Sequence, residues 1–215
     1  MVAADRSSLH LIGDEESAKR RQILDGARKV FMDLGFDGAS MGEIARSAGV
    51  SKGTLSVYFA DKNRLFEAIV EEEAREKSDV AFNLDPSREV TITLREFGQT
   101  YIAMICRPGG GSSIRTVMAI AERMPDVGRR YYECVLESLI SRLAVYLEAR
   151  AAQGELRIDD CQLAASQFQL TCQASLFLPY IFQASPAPSP ERIREVVESA
   201  VRMFLAAYAG KSEMA

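Results

Sequence analysis

The chain has 215 residues, of which 47% are hydrophobic and 26% are charged, so its composition is that of a globular protein rather than a disordered or fibrous one. Thirty acidic residues against 26 lysines and arginines give a net charge of −4, which excludes a uniformly basic coat for nucleic acid but not a local basic surface. The length is sufficient for two small domains or for one unit with two parts.

The counts of histidine and cysteine limit the chemistry available to the chain. Its single histidine, His10, lies near the N-terminus, which argues against histidine metal sites and against Ser-His-Asp or Cys-His catalytic centres. None of the four cysteines (Cys106, Cys134, Cys161 and Cys172) belongs to a Cys-x-x-Cys pair, and no secretory signal is visible. We therefore expect reduced thiols in a cytoplasmic protein, no metal, no cofactor and no enzymatic activity.

One long segment, Cys161 to Pro190, contains no charged residue and was therefore assessed as a membrane span. Glutamines interrupt it, and its longest apolar run, Leu176 to Phe182, is far shorter than the roughly 18 residues that a spanning helix needs. We expect a helix buried on several sides and no membrane partner.

Helical periodicity begins after a short N-terminal arm, for which we predict residues 1–13. The first helix is expected to begin near Glu15 and to end at Gly35. Ser40 then precedes Glu43 at the spacing of a capping box, in which each side chain satisfies a free backbone amide of a new helix. This pattern predicts a second, short helix directly after Ser40.

A turn and two more capped helices follow. Gly49 suits the left-handed end of the second helix, Ser51 caps a third that reaches about Tyr58, and Asp61 caps a fourth. Two short capped helices joined by a glycine-containing turn are the arrangement of a helix-turn-helix.

The remainder of the chain also shows helical spacing, and no segment alternates as a strand does. Pro125 begins a long predicted helix with Tyr132 on its buried face, and Pro179 is expected to kink or end the charge-free helix. The predicted fold is all-α with about nine helices, the later ones covering approximately residues 90–105, 114–123, 125–154, 159–182 and 190–209.

The third helix, KGTLSVYF, has the properties of a recognition helix. Leu55 and Phe59 lie four residues apart and are expected to face the core, whereas small polar side chains occupy the N-terminal half. A slim, polar helix end of this kind fits the major groove and reaches base edges. Tyr58 and Lys62 are then placed to contact backbone phosphates.

From Arg21 to Val70 the sequence RQILDGARKVFMDLGFDGASMGEIARSAGVSKGTLSVYFADKNRLFEAIV resembles the TetR family of bacterial transcriptional regulators. The resemblance implies that the third helix carries recognition-helix positions at Ser51, Lys52, Gly53 and Thr54. It also implies that Tyr58 and Lys62 contact phosphates and that Ser40 caps the second helix beside a phosphate. One departure lies at Ser56 and Val57, where members of the family usually carry an aromatic residue and a polar or aromatic residue, respectively. The DNA-binding residues that we predict are Ser40, Ser51, Lys52, Gly53, Thr54, Ser56, Tyr58 and Lys62.

The second half of the chain resembles the AefR-like C-terminal domain found in part of this family. The segments that carry the resemblance are AIAERMPDVGRRYYE and LAVYLEARAAQGELRIDDCQLAASQF. The resemblance implies effector binding and dimerisation. We therefore predict a DNA-binding domain over residues 14–62 and a helical effector-binding and dimerisation domain over residues 63–215.

Aromatic and methionine side chains at helical spacing in the second half are candidates for an effector cavity, although plain core packing is the alternative reading. An apolar wall predicts a small hydrophobic or amphipathic effector. The candidates for the cavity lining are Phe97, Tyr101, Met104, Met118, Phe168, Cys172 and Phe177. For the dimer interface we predict the last two helices, with Val197, Ala200 and Phe204 on the apolar face of the final one.

The function predicted from these features is a ligand-responsive transcriptional repressor that binds a near-palindromic DNA operator as a homodimer. Two alternatives remain open at this point. One is a helical enzyme for small hydrophobic substrates, which the absence of a convergent acid–base set disfavours. The other is a ligand carrier or adaptor whose helix-turn-helix no longer binds DNA, which the departures at Ser56 and Val57 allow.

Overall fold

The computed structural model describes residues 6–78, 82–107 and 110–210, with side chains described for 16–73, 75, 82–107 and 114–210. The regular secondary structure of these residues is helical, as predicted, apart from a single backbone bridge between Leu156 and Ala209. In chain order the helices are α1 Arg6–Gly38, α2 Met41–Ser47, α3 Lys52–Tyr58, α4 Lys62–Ser78, α5 Val90–Ile105, α6 Gly110–Ile120, α7 Pro125–Tyr131, a π-helix Tyr132–Glu137, α8 Ser138–Ala152, α9 Cys161–Ile181 and α10 Pro190–Tyr208. Since α7, the π-helix and α8 are continuous, the described ranges contain nine separate helices.

Helix α1 differs from its prediction at its N-terminus. It begins at Arg6, so residues 6–13 of the expected arm are helical; residues 1–5 and the side chain of His10 lie outside the described part of the chain. At the other end the helical geometry is interrupted at Gly35, where φ is 69°. Glycine adopts this left-handed conformation without the steric cost that a Cβ brings, so the predicted break is confirmed.

The long helix predicted after Pro125 contains a π-helical segment, Tyr132–Glu137, that the sequence pattern did not indicate. A π-helix takes more residues per turn than an α-helix, so it changes which residues of the flanking turns face the core. The prediction that Tyr132 is buried is wrong: Tyr131 is 2% exposed and Tyr132 is 51% exposed.

Helix α9 is kinked, but not at the residue that the sequence indicated. The non-helical backbone lies at Ala174, five residues before Pro179. A proline within a helix removes its own amide bond and crowds the carbonyl four residues earlier, here that of Ser175. The distortion caused by Pro179 is therefore expected one turn upstream, which is where the break is observed.

The described residues pack around two apolar cores. One joins α5, α8, α9 and α10, and close contact at Gly98, whose Cβ would lie 2.7 Å from Val197 Cγ1, brings α5 against α10. The other contains apolar residues of α1–α4 and continues into α6, α7 and the π-helix through Ile114, Tyr131 and Val135, respectively. The domain boundary predicted at residue 62 remains a prediction, but the core of α1–α4 extends beyond that residue.

Candidate nucleic-acid interface

The turn between α2 and α3 is built by local capping. The Ser40 hydroxyl accepts a hydrogen bond from the Glu43 amide at 3.2 Å, and the Glu43 carboxylate accepts one from the Ser40 amide at 3.0 Å, which completes the predicted capping box. Gly49 has φ of 64°, as a left-handed helix end requires. Ser51 caps α3 by accepting from the Thr54 amide at 2.9 Å. These bonds satisfy amides that a short helix otherwise leaves free.

Helix α1 packs against α2 of the helix-turn-helix. Gly26 lies so close to α2 that an added Cβ would be 2.6 Å from backbone atoms of Ala48. The Gln22 amide donates to the Ala48 carbonyl at 2.7 Å and so satisfies the C-terminal end of α2. Sequence reasoning missed both residues, because each acts on a partner more than twenty positions away.

Helix α3 is anchored by its two predicted core residues. Leu55 is fully buried and Phe59 is 6% exposed, so the opposite face of α3 is directed to solvent. The guanidinium of Arg20 lies 5.6 Å from the centre of the Phe59 ring, and Lys19 donates to Gln22. In the run of cations Lys19, Arg20 and Arg21, Arg20 thus packs on the residue that ends α3, whereas Lys19 makes a contact within α1.

Most residues predicted to contact DNA lie at the exposed surface of α2 and α3. Ser40, Ser51, Lys52, Gly53 and Ser56 are exposed, and Thr54 and Tyr58 are half-buried. The hydroxyls of α3 are already engaged locally: Ser51 and Thr54 share a 2.7 Å hydrogen bond, and Ser56 donates to the Lys52 carbonyl at 3.0 Å. Lys52 is the one cationic side chain of α3 itself.

Lys62 has a different environment from the one predicted. Its ammonium donates to the carbonyls of Phe36 at 2.9 Å and Ala39 at 3.3 Å, and it lies 4.6 Å from the centre of the Phe36 ring. A cation at the C-terminal end of a helix satisfies free carbonyls and favours the helix dipole. Lys62 therefore joins α4 to the end of α1, and its phosphate contact stays a prediction.

The predicted effector-lining residues do not all lie together. Phe97, Tyr101, Phe168 and Cys172 are buried in the core of α5 and α8–α10, and so is Met104. Phe177 is half-buried and contacts both cores. The assignment of Met118 is contradicted, since its side chain is 69% exposed. The buried face of α6 is formed instead by Ile114, Val117 and Ile120.

A polar group lies within this apolar core, and sequence reasoning did not identify it. The Gln173 amide donates to the Tyr101 hydroxyl, and Gln169, one turn earlier on α9, is 4% exposed. The amide nitrogen of Gln169 is buried with no hydrogen-bond partner among the described residues. Burial raises the pKa of Tyr101, an effect that hydrogen bonding to Gln173 partly offsets, so its hydroxyl stays neutral. The sequence feature that could have indicated this polar group is the pair of glutamines four residues apart in a helix without charged residues.

An open groove of about 390 Å³ runs along α9 and α10 and is bordered by the exposed side chains of Leu170 and Met203. The apolar face predicted for dimerisation is different, because Val197, Ala200 and Phe204 are at most 5% exposed within the single chain. These three residues complete the core of the chain itself. The exposed large apolar side chains that border the groove between these helices are Leu170 and Met203.

No helix in the described ranges has the length and hydrophobicity needed to cross a membrane. Within the same ranges, no three histidine, cysteine or acidic side chains lie close enough together to hold a metal ion. Burial raises the pKa of Cys106 to about 11 and that of Cys172 to about 12, so both thiols remain protonated at neutral pH.

Two family models match the chain. The model of the AefR-like transcriptional repressor C-terminal domain matches residues 92–210, and that of bacterial regulatory proteins of the tetR family matches residues 23–69. The HTH-type transcriptional repressor AcnR of Corynebacterium glutamicum is 35% identical over 147 residues, which are 68% of this chain and 73% of that protein. The repressor Rv1474c of Mycobacterium tuberculosis is 33% identical over 124 residues, 56% of this chain and 60% of that protein.

Solved structures agree with these sequence matches. A TetR-family transcriptional regulator from Mesorhizobium loti superposes with a TM-score of 0.81 at 28% identity, covering 90% of this chain and 98% of that one. The flavonoid-responsive regulator FrrA gives a TM-score of 0.75 at 29% identity, with 91% and 100% covered. Members of this family bind DNA, act as dimers and are regulators rather than enzymes. With its capped helix-turn-helix and its AefR-like second half, this chain belongs to the TetR family of DNA-binding transcriptional repressors.

Proposed function

We propose that the protein represses transcription by placing the exposed face of α3 in the major groove of a near-palindromic operator, once from each subunit of a homodimer. The observation that carries this proposal is the capped geometry of α2 and α3, which leaves Lys52 and the exposed face of α3 free while Leu55 holds the helix in the core. Two such helices in a dimer read half-sites one helical turn or a multiple apart.

The proposed dimer uses the outer faces of α9 and α10. Leu170 is 61% and Met203 is 62% exposed, and both border the same apolar groove. Apolar side chains that line one continuous surface gain free energy when a partner covers them. A second copy is the occupant expected for a family whose members act as dimers.

The proposed effector is a small, neutral, aromatic or amphipathic molecule. Phe97 and Phe168, with ring centres 6.4 Å apart, provide an aromatic surface near Tyr101. The buried Gln169 amide lacks a partner, and a carbonyl or ether oxygen of a ligand would satisfy it. A carboxylate would lose its hydration without meeting a cation at this neutral group. The responsiveness of FrrA to flavonoids supports an effector of this class.

A repressor of this kind acts in the bacterial cytoplasm, where its operator DNA is found. Effector binding relieves repression only if the effector binds the DNA-incompetent state more tightly than the DNA-competent one. The effector should therefore lower the affinity of the protein for DNA, and DNA should lower its affinity for the effector by the same factor.

Footprinting and binding isotherms on the DNA upstream of the protein's own gene test this function. We expect one protected near-palindrome, and Lys52→Ala should weaken binding to it about tenfold, the value of one good base contact. Arg157→Ala removes an exposed cation from the loop between α8 and α9, away from α3 and from Leu170 and Met203, and should leave the affinity unchanged. Equal losses in both variants, or binding that does not distinguish upstream from random DNA, would contradict the proposal.

A further inference from the structure

The outermost ridge of α3 is formed by Gly53 and Val57. Successive residues of an α-helix are rotated by about 100°, so positions two before and two after Leu55 lie opposite the core. Leu55 is fully buried, whereas Val57 is 83% exposed, the highest value for a large hydrophobic side chain in the described part of the chain. The two ridge residues are four apart and therefore neighbours on one face.

Nothing in the described part of the chain accounts for a glycine at position 53. A Cβ added there would meet only the Ser51 hydroxyl, at an ordinary contact distance of 3.7 Å, and the residue lies inside the helix Lys52–Tyr58. Glycine weakens a helix relative to alanine. A glycine that is neither sterically required nor favourable is explained by close approach of another molecule to the backbone.

Val57 follows on the same ridge, one turn further along α3, and its side chain is directed to solvent. The neighbouring hydroxyls of Thr54 and Ser56 are short and already hydrogen-bonded within α3, to Ser51 and to the Lys52 carbonyl. An isopropyl group offers no hydrogen bond, so it cannot read the donor and acceptor pattern of a base. The apolar group that the major groove presents is the C5-methyl of thymine.

We propose that Val57 is a specificity-determining residue that reads a thymine methyl in each half-site, while Gly53 allows the helix backbone to approach the DNA. This inference rests on the proposed function, since it requires α3 to enter the major groove. It assigns an apolar readout to a position where the resemblance to the family leads one to expect a polar or aromatic side chain.

The test replaces single thymines of the footprinted operator by deoxyuridine, which removes only the 5-methyl group. For the wild-type protein we expect one position in each half-site at which the replacement weakens binding about fourfold, the factor for burial of one methyl group. With Val57→Ala the loss at that position should vanish, whereas losses at other positions should persist. Because Val57 is exposed, the variant should keep the wild-type melting temperature.

The result that would overturn the inference is an operator bound normally by the wild-type protein in which no deoxyuridine penalty depends on residue 57. That result leaves the proposed function intact, whereas failure of the wild-type protein to select any operator refutes the function itself. Gly53→Ala supplies an independent arm. It should raise the melting temperature by about 2 °C yet weaken operator binding. Unchanged operator affinity in this variant would contradict the close approach at Gly53.

Discussion

The helix-turn-helix and the core of α5 and α8–α10 differ in how far apart along the chain the polar contacts that define them lie. In α2 and α3 the defining bonds join residues three positions apart, as between Ser40 and Glu43. In the core of α5 and α8–α10 they join distant residues: Arg95 pairs with Glu198 across 103 positions, and Gln173 with Tyr101 across 72. The helix-turn-helix is thus locally encoded, whereas the contacts of the proposed effector site exist only after α5, α9 and α10 have packed.

The largest effect on operator affinity is expected at the dimer interface that we propose on α9 and α10. Met203→Arg places a charge on the proposed dimer face and should give a monomer whose operator affinity is lower by about a hundredfold or more, since the second half-site no longer adds to binding. Sedimentation and binding isotherms measure both quantities. Val145→Arg alters a similarly exposed apolar residue on α8 and serves as the control. A dimeric Met203→Arg variant would contradict the assigned interface.

A matched pair on α9 separates stability from effector response. Gln169→Leu removes a buried amide without a partner and should raise the free energy of unfolding by about 1 kcal/mol. Gln173→Leu breaks the bond to Tyr101 and should lower it by a similar amount. Denaturant unfolding measures both changes.

The same variants test the chemistry of the effector site. Flavone and methyl 4-hydroxybenzoate, both neutral, should release the wild-type protein from its operator at lower concentration than 4-hydroxybenzoate, which carries a carboxylate. Gln169→Leu should lose this response although it folds more stably. Equal responses to the ester and the carboxylate would exclude a neutral site.

Lys62 distinguishes a structural cation from a DNA-binding one. Lys62→Ala should lower the free energy of unfolding by about 1 kcal/mol, or the melting temperature by about 2–4 °C, because the carbonyls of Phe36 and Ala39 lose their donor. The dependence of operator affinity on salt concentration should stay the same. A shallower salt dependence would restore the phosphate contact predicted from the sequence.

The smallest effect is expected at the contact between the end of α1 and the loop after α6. Arg123 donates two hydrogen bonds to the Asp37 carboxylate, at 2.7 and 2.8 Å, and these bonds hold the pKa of Asp37 below its usual range. A lowered folded-state pKa gives stability that is present above the unfolded pKa and is lost as pH falls through the folded one. Because both side chains are exposed, the change in stability should be slight.

Titration of the Asp37 carboxyl by NMR measures this contact directly. We expect its pKa to return toward the ordinary value in Arg123→Ala. An Asp37 pKa that is the same in both proteins would show that the ion pair does not form in solution.

Local signals in the sequence were sufficient for the helix-turn-helix, because serine caps, a left-handed glycine and apolar spacing act within one or two turns. The resemblance to the TetR family and the all-α fold predicted from helical spacing along the chain are confirmed. Contacts between distant residues were not predictable in this way. The capping of α1 by Lys62, the packing of Gly26 on α2 and the buried amide of Gln169 each depend on a partner brought near by folding.

Errors in the second half have a common physical origin. Helical spacing identifies which residues share a face but not which face is buried, so Met118 was assigned to the interior and Ala200 to the dimer surface, whereas Met118 is exposed and Ala200 is buried. The π-helix adds a local change of register that hydrophobic periodicity does not reveal, and Tyr131 rather than Tyr132 is buried as a result.

The central claim is that paired α3 helices read a near-palindrome, and selection of binding sites from a random DNA library tests it without reference to any known promoter. The account predicts enriched duplexes with two inverted half-sites centred one helical turn, or a multiple, apart. It also predicts that Lys52→Ala selects altered half-sites with the same spacing. Enrichment of a single unpaired site, or no enrichment at all, would contradict the claim.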